Sequence, residues 1–93
     1  MIKASFVIPV FNGELYIAEA IDSCLLQTIA DIEVVVVDDG STDGTKEVLE
    51  WVSGHSRDRV RVITLEKNSG RSHARNVGLA SVKSGVILMQ DAD

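Results

Sequence analysis

Four consecutive valines, Val34 to Val37, preceded by Glu33 and followed by Asp38-Asp39-Gly40, restrict the fold of this chain more than any other stretch. A β-branched run without polar alternation suits a strand covered on both faces, the environment of a parallel sheet and not of a solvated hairpin. Such a strand needs helices against it, and the rest of the chain is expected to supply them.

The remaining segments fit that demand. Residues 4–10 are a second, nearly continuous apolar run that ends in the breaker-rich Pro9-Val10-Phe11-Asn12-Gly13, a strand followed by a loop. Over residues 14–27, Ile17, Ala20, Ile21, Cys24 and Leu25 recur at helical spacing and leave Glu14, Glu19, Asp22 and Gln27 for solvent. After the valine run, Ser41 or Thr42 can cap a helix reaching about Ser53, with Val48, Leu49 and Val52 as its apolar stripe and Trp51 expected to pack beside it. Residues 60–65 alternate in their first half and predict a strand nearer the sheet edge. Lys67-Asn68-Ser69-Gly70 is a turn cluster. Ser72 can cap a third helix carrying Ala74, Val77, Leu79 and Ala80 to about Lys83, and a fourth strand over 86–90 runs into Asp91-Ala92-Asp93.

This order, β-α-β-α-β-α-β with short connections, predicts an α/β fold: a Rossmann-like open parallel sheet with alternating helices and right-handed crossovers. In such sheets ligands bind beyond the carboxyl ends of the strands. Those ends carry Pro9 to Gly13, Asp38-Asp39, residues 66–71 and residues 91–93.

Composition narrows the partners. Ninety-three residues, 45% hydrophobic and 25% charged, suit one small packed domain. Nine Lys+Arg against 14 Asp+Glu, a net charge of -5, exclude a general nucleic-acid binder, whose affinity rests on neutralising phosphates. A small phosphorylated ligand remains compatible if a divalent cation bridges it to carboxylates. With Cys24 as its single cysteine, the chain needs no oxidising compartment, so a cytoplasmic location is expected. It has no apolar run of transmembrane length and is expected to be soluble, with the full-length enzyme at the cytoplasmic face of a membrane as the alternative.

Neither G-x-G-x-x-G nor G-x-x-x-x-G-K-[ST] follows the first strand, so glycine-loop phosphate binding is not expected. Asp91 and Asp93, flanking a small residue at a strand end, offer a substitute: they can hold Mg2+ or Mn2+, which in turn takes diphosphate oxygens. The competing reading is a solvated acidic turn. Asp39 can accept from ribose hydroxyls or base N–H groups, or cap the turn into the next helix; Asp38 can do the former or bond nearby backbone amides. Asp39 to Gly44 with Glu50 in twelfth place mimics a calcium-loop spacing, but such a loop sits between helices, whereas residues 33–37 read as a strand.

Taken together, several motifs in register resemble the family 2 glycosyltransferases of GT-A fold. They are Ser5-Phe6-Val7-Ile8-Pro9-Val10-Phe11-Asn12, Gln27-Thr28, the stretch from Glu33 through Asp38-Asp39-Gly40-Ser41-Thr42-Asp43, Asn68-Ser69-Gly70 with Ala74-Arg75-Asn76-Val77-Gly78, and Asp91-Ala92-Asp93. The resemblance implies that residues 1–93 are the N-terminal, nucleotide-sugar-binding part of a GT-A domain, whose acceptor site and catalytic base, an acidic residue, lie in a later part not present here. It implies metal-assisted transfer, with inversion, of a sugar from a nucleoside diphosphate donor, most often a UDP-sugar, to a hydroxyl of a saccharide, a lipid-linked sugar or a similar acceptor, as in polysaccharide biosynthesis. A nucleotide-binding module without catalysis is the alternative.

In that family the Pro9 segment, here Pro9, Val10, Phe11 and Asn12, and the second aspartate of the pair, Asp39, contact the nucleoside. Asp91 and Asp93 match the Asp-x-Asp motif, and the region from Gly70 to Arg75 closes over the nucleotide. Arg71 and Arg75, four apart on one helical face, can meet base or phosphate oxygens, or Arg75 can instead pair with Asp38 or Asp39. The isolated chain is expected to have little or no transferase activity, and its last strand, an exposed apolar edge, to favour self-association.

Overall fold

The structure is a computed structural model that describes residues 2, 4–26, 31–55, 59–83 and 87–89, the last three as backbone. Four strands, β1 (Ala4–Val10), β2 (Ile32–Asp38), β3 (Val60–Thr64) and β4 (Ile87–Met89), alternate with helices α1 (Ile17–Leu25), α2 (Thr45–Gly54) and α3 (Arg71–Ser81). The sheet is parallel throughout, in the order β3-β2-β1-β4. The valine strand therefore lies inside the sheet, and every residue of both β1 and β2 is buried. Full burial of an aliphatic side chain is worth roughly 1.5–3 kcal/mol, so Val34 to Val37 anchor the domain. As expected, β3 is an edge strand, its residues only half-buried beyond Val60 and Thr64 exposed.

Strand alternation assigns the two faces. Phe6, Ile8, Val10, Val34 and Val36 share one core cluster with Ile17, Ile21 and Cys24 of α1 and with Leu49 and Val52 of α2. That burial pushes the Cys24 thiol up to about 11, so it stays protonated at neutral pH. Val7 and Val37 face α3, where Gly78 comes so close that a Cβ at that position would lie 2.5 Å from Val7 Cγ1. Ala74 and Gly78 are thus the buried positions of α3, whereas Val77 and Leu79 are half-buried and Ala80 is exposed, contrary to the apolar stripe read from the sequence.

A buried ion pair ties the α3 face together. Glu33, 2% exposed, accepts from Ser5 Oγ (2.6 Å), from the Lys83 amide (2.7 Å) and from Arg61 through Nε (3.2 Å) and a terminal nitrogen (2.8 Å). Arg61 also donates to the Ser81 carbonyl at 2.6 Å, which fastens the end of α3 to β3. Burial alone pushes the Glu33 carboxyl up, but the hydrogen bonds from Ser5, Lys83 and Arg61, with the Arg61 charge, outweigh it and hold the pKa below the ordinary carboxylate value.

The helix starts differ from the sequence reading. Residues 14–16 form a turn whose end, the Tyr16 and Ile17 amides, donates to the Gly13 carbonyl, so α1 begins at Ile17. Neither Ser41 nor Thr42 caps α2, which begins after Gly44, and Ser72 lies inside α3, which begins after Gly70 at φ 100°. Trp51 does not pack: it is 65% exposed and stacks on His55, ring centroids 4.2 Å apart. Within the fourth strand, Ile87–Met89 pairs with β1; residues 86 and 90 lie outside the described residues.

Candidate functional site

Parallel strands bring the carboxyl ends of β1, β2 and β3 to one edge of the sheet, and a cleft of about 500 Å³ opens there, within the size range of small-molecule sites. One wall is the β1–α1 connection: Pro9, Val10, Phe11, Asn12 and Gly13, with Tyr16 behind them. The facing wall is Asp39 after β2, Asn68 in the β3–α3 loop, and Arg71 and Ala74 on the first turn of α3. Phe11 and Tyr16 are 45% and 52% exposed, which leaves aromatic faces open to a planar ligand.

The first wall is held by the loop after β2. Asn12 adopts φ 53°, a left-handed backbone that asparagine tolerates better than most residues. Its Oδ1 accepts from the Thr42 amide (2.8 Å) and the Asp43 amide (3.3 Å), while its own amide donates to Ser41 Oγ (2.9 Å). The Gly13 amide donates to Thr45 Oγ1 (2.9 Å) and the Glu14 amide to Asp43 Oδ2 (3.4 Å). Ser41, Thr45 and Asp43 therefore brace the opposite loop. Asp43 also accepts from Thr45; some burial pushes its carboxyl up, but the Thr45 hydroxyl and the Thr45 and Glu14 amides win and hold it low. The calcium-loop spacing thus starts at the end of a strand and runs into α2, which holds Glu50, and is not flanked by two helices. Asn12→Ala should loosen the cleft wall and lower stability by about 1–3 kcal/mol, since it removes the acceptor of the Thr42 and Asp43 amides and leaves a residue other than Asn or Gly at positive φ. Urea unfolding of the variant, with Asn12→Gly to separate the backbone from the side-chain contribution, checks this.

The second wall hangs on Asp39. This carboxylate is 3% exposed; Oδ1 accepts from the Ser69 amide (2.9 Å) and hydroxyl (2.9 Å), and Oδ2 accepts from the Gly70 amide (3.0 Å). It therefore caps the start of α3, where a negative charge also meets the positive end of the helix dipole, and does not cap α2. Gly40, at φ 73°, makes the approach possible: a Cβ there would sit 2.5 Å from the Lys67 carbonyl carbon. Three of the carboxylate's roughly four acceptor positions are used, leaving Oδ2 able to take one further donor.

Asp38 follows the backbone-bonding alternative. Its Oδ1 accepts from the Ser41 amide at 3.1 Å, and its buried Oδ2 has no hydrogen-bond partner among the described residues. Arg75 is exposed and does not line the cleft, and it pairs with neither Asp38 nor Asp39; the ion pair found among the described residues joins Arg61 to Glu33. Gly70 shapes the cleft through its amide and its backbone conformation rather than as a lining residue. Asp91 and Asp93 lie outside the described residues. Because β4 runs parallel to β1, its carboxyl end is at the same edge of the sheet as the cleft. Gly13, Asn68 and Ala74, which lie in segments the sequence placed at this site, also line the cleft, as does Tyr16, which the sequence placed in a helix.

A parallel sheet with a cleft of small-molecule size at its carboxyl edge, walled by a Pro-Val-Phe-Asn loop and by Asp39, defines an α/β ligand-binding domain, and its structural neighbours are glycosyltransferases of GT-A type. The profile of Glycosyl transferase family 2 matches residues 5–93, and the chain belongs to that family. It is 38% identical over 91 residues to an uncharacterized glycosyltransferase of Nostoc sp., covering 98% of this chain and 28% of the relative. Among solved structures, S. aureus TarS 1–349 in complex with UDP-GlcNAc superposes at a TM-score of 0.87 with 37% identity, over 99% of this chain and 27% of that one. The mannosyltransferase PcManGT of Pyrobaculum calidifontis, in complex with GDP-Man and Mn2+, gives 0.87 with 30% identity, over 98% and 27%. The chain thus spans about a quarter of the length of these relatives.

Proposed function

We propose that these residues bind the donor of an inverting glycosyltransferase, which moves a sugar from a nucleoside diphosphate, UDP first among them, to an acceptor hydroxyl. The observation that carries the reading is the position of Asp39, fixed between the β1–α1 loop and the start of α3 with one acceptor site open. Phe11 and Tyr16 would lie against the base, Asp39 would accept a base N–H, and Arg71 would face the phosphates. Gly70 sets the loop that places Arg71, and Arg75, one turn further along α3, would reach the ligand only if the donor extends past the cleft. The complex of a neighbour with UDP-GlcNAc supports the donor class.

Transfer forms the bond from acceptor oxygen to anomeric carbon while the bond from that carbon to the diphosphate breaks, and the acceptor proton passes to a base. That base is proposed to be a carboxylate outside these 93 residues. A hard cation suits a pair of carboxylates at a strand end, and a neighbour carries Mn2+; Asp91 and Asp93 would hold Mg2+ or Mn2+, which when bound would neutralise the leaving diphosphate. No helix among the described residues is long and apolar enough to cross a membrane. The acceptor is proposed to be a saccharide or lipid-linked sugar, and the free edge of β4 to accept a further strand.

Calorimetric titration of UDP into the chain with Mn2+, and again with EDTA, tests this reading. We expect binding roughly tenfold or more tighter with Mn2+, and Asp93→Ala to abolish that difference. Binding unchanged by EDTA would reduce the site to nucleoside recognition, and tighter binding of GDP than UDP would overturn the uridine assignment.

A further inference from the structure

At the opposite end of the sheet, where β3 begins, a hollow of about 460 Å³ lies between α1 and α2 and is lined by Trp51, His55, Asp22 and Arg59 over a floor of Ala18, Leu25 and Val52. Trp51 is not a loosely exposed side chain. Its ring stacks on His55 with an interplanar angle of 25°, and His55 is itself held by a bond between Nδ1 and the Trp51 carbonyl at 2.7 Å. The imidazole thus fixes the indole while 65% of Trp51 stays open to solvent. Around this aromatic face stand an acceptor, the exposed Asp22 carboxylate, and a donor, the Arg59 guanidinium. Arg59 spends one terminal nitrogen on the Leu25 carbonyl (3.4 Å), and its buried Nε has no hydrogen-bond partner among the described residues, so the rest of the guanidinium is what the hollow offers a ligand.

We infer that this hollow is a second ligand site, which takes a pyranose ring of a saccharide chain. A pyranose has a C–H face that stacks on an aromatic ring and equatorial hydroxyls that both donate and accept. Trp51 matches the first, Asp22 and Arg59 the second. An apolar protein segment would leave the guanidinium and carboxylate unmet, at a cost that a hydroxylated ligand does not incur. A fixed indole also loses little side-chain freedom on binding, which favours a weak, repeated contact with successive rings of a chain. The inference is independent of the donor cleft, which lies at the other edge of the sheet.

Trp51 is the only tryptophan, so its fluorescence reports this hollow alone. Titration of the chain with chitotetraose and with maltotetraose should change its emission saturably in the millimolar range. For at least one of the two sugars, Asp22→Ala should weaken the effect about fivefold or more. His55→Ala, which frees the indole, should weaken it with the fold retained by circular dichroism. A folded chain whose emission neither sugar alters would overturn the inference. So would emission that follows protein concentration while sedimentation shows a dimer, because a second copy of the chain would then cover the hollow.

Discussion

Glu33→Ala is expected to remove roughly 3 kcal/mol or more of stability, a large share of the ~5–15 kcal/mol typical of a domain. The substitution takes the acceptor from Ser5 Oγ, the Lys83 amide and Arg61 at once, inside a sheet face where Ser5 is fully buried. Arg61, a third exposed, and the exposed Lys83 can recover water, but the buried Ser5 hydroxyl does not. The pH dependence has a definite sign. Because the folded pKa of Glu33 is lowered, its contribution is complete above the unfolded carboxylate value of about 4.3 and fades as pH falls through the folded value. Urea unfolding at pH 7 and pH 3 should therefore show a wide gap between wild type and Glu33→Gln at pH 7 that narrows in acid. Equal midpoints at pH 7 would show that the cluster is not what fastens α3 to the sheet.

Asp39 carries the second large effect. Asp39→Ala should weaken UDP binding about a hundredfold, because it deletes the proposed base contact and releases the loop that positions Asn68 and Arg71. Asp39→Asn is informative for a geometric reason. If its carbonyl keeps the two Ser69 donors, its NH2 must face the Gly70 N–H, a donor against a donor, at about 1–3 kcal/mol. Asn therefore should not rescue Ala. Ser69→Ala, which loses one of three hydrogen bonds, should retain most of the binding. Calorimetry on the three variants, with circular dichroism for fold, gives the order wild type, Ser69→Ala, then the two Asp39 variants. An Asp39→Asn variant that binds like wild type would rule out the latch.

The fold was legible because its strands are driven by burial. The β1 boundaries agree with the apolar run, and β2 exceeds the expected 33–37 only at Ile32 and Asp38, where pairing with Ala4 and Val10 continues the ladder. Helix starts were less legible because local capping rules ignore distant partners. Ser41 looks like a cap, yet its hydroxyl accepts from the Asn12 amide, as the Thr45 hydroxyl does from the Gly13 amide, about 30 positions away in sequence. Nothing local marks Glu33 as a buried ion, since its partner Arg61 lies on another strand. Two misreadings were avoidable. Successive helical residues turn by ~100°, so Trp51 falls off the Leu49 and Val52 stripe, and a glycine inside a helix, as at Gly78, signals close packing.

Site positions followed from topology, which assigns strand-end residues to one edge. Pro9, Val10, Phe11, Asn12, Asp39 and Arg71 line one cleft. Tyr16 was read as part of a helix and so escaped notice, although the turn that starts at Gly13 directs it toward the cleft wall. Helical spacing of four pairs Arg71 with Arg75, but α3 leaves the sheet edge, and only its first turn borders the cleft.

The central claim is that this cleft receives the nucleotide, and amide chemical-shift mapping of the isotope-labelled chain during UDP titration with Mn2+ tests it most directly. The account predicts saturable shifts concentrated at Phe11 to Gly13, Asp39 and Asn68 to Ala74, with the Trp51 indole unmoved. Shifts centred on α1 and α2, or a folded chain with no saturable shift up to about 10 mM UDP, would contradict it.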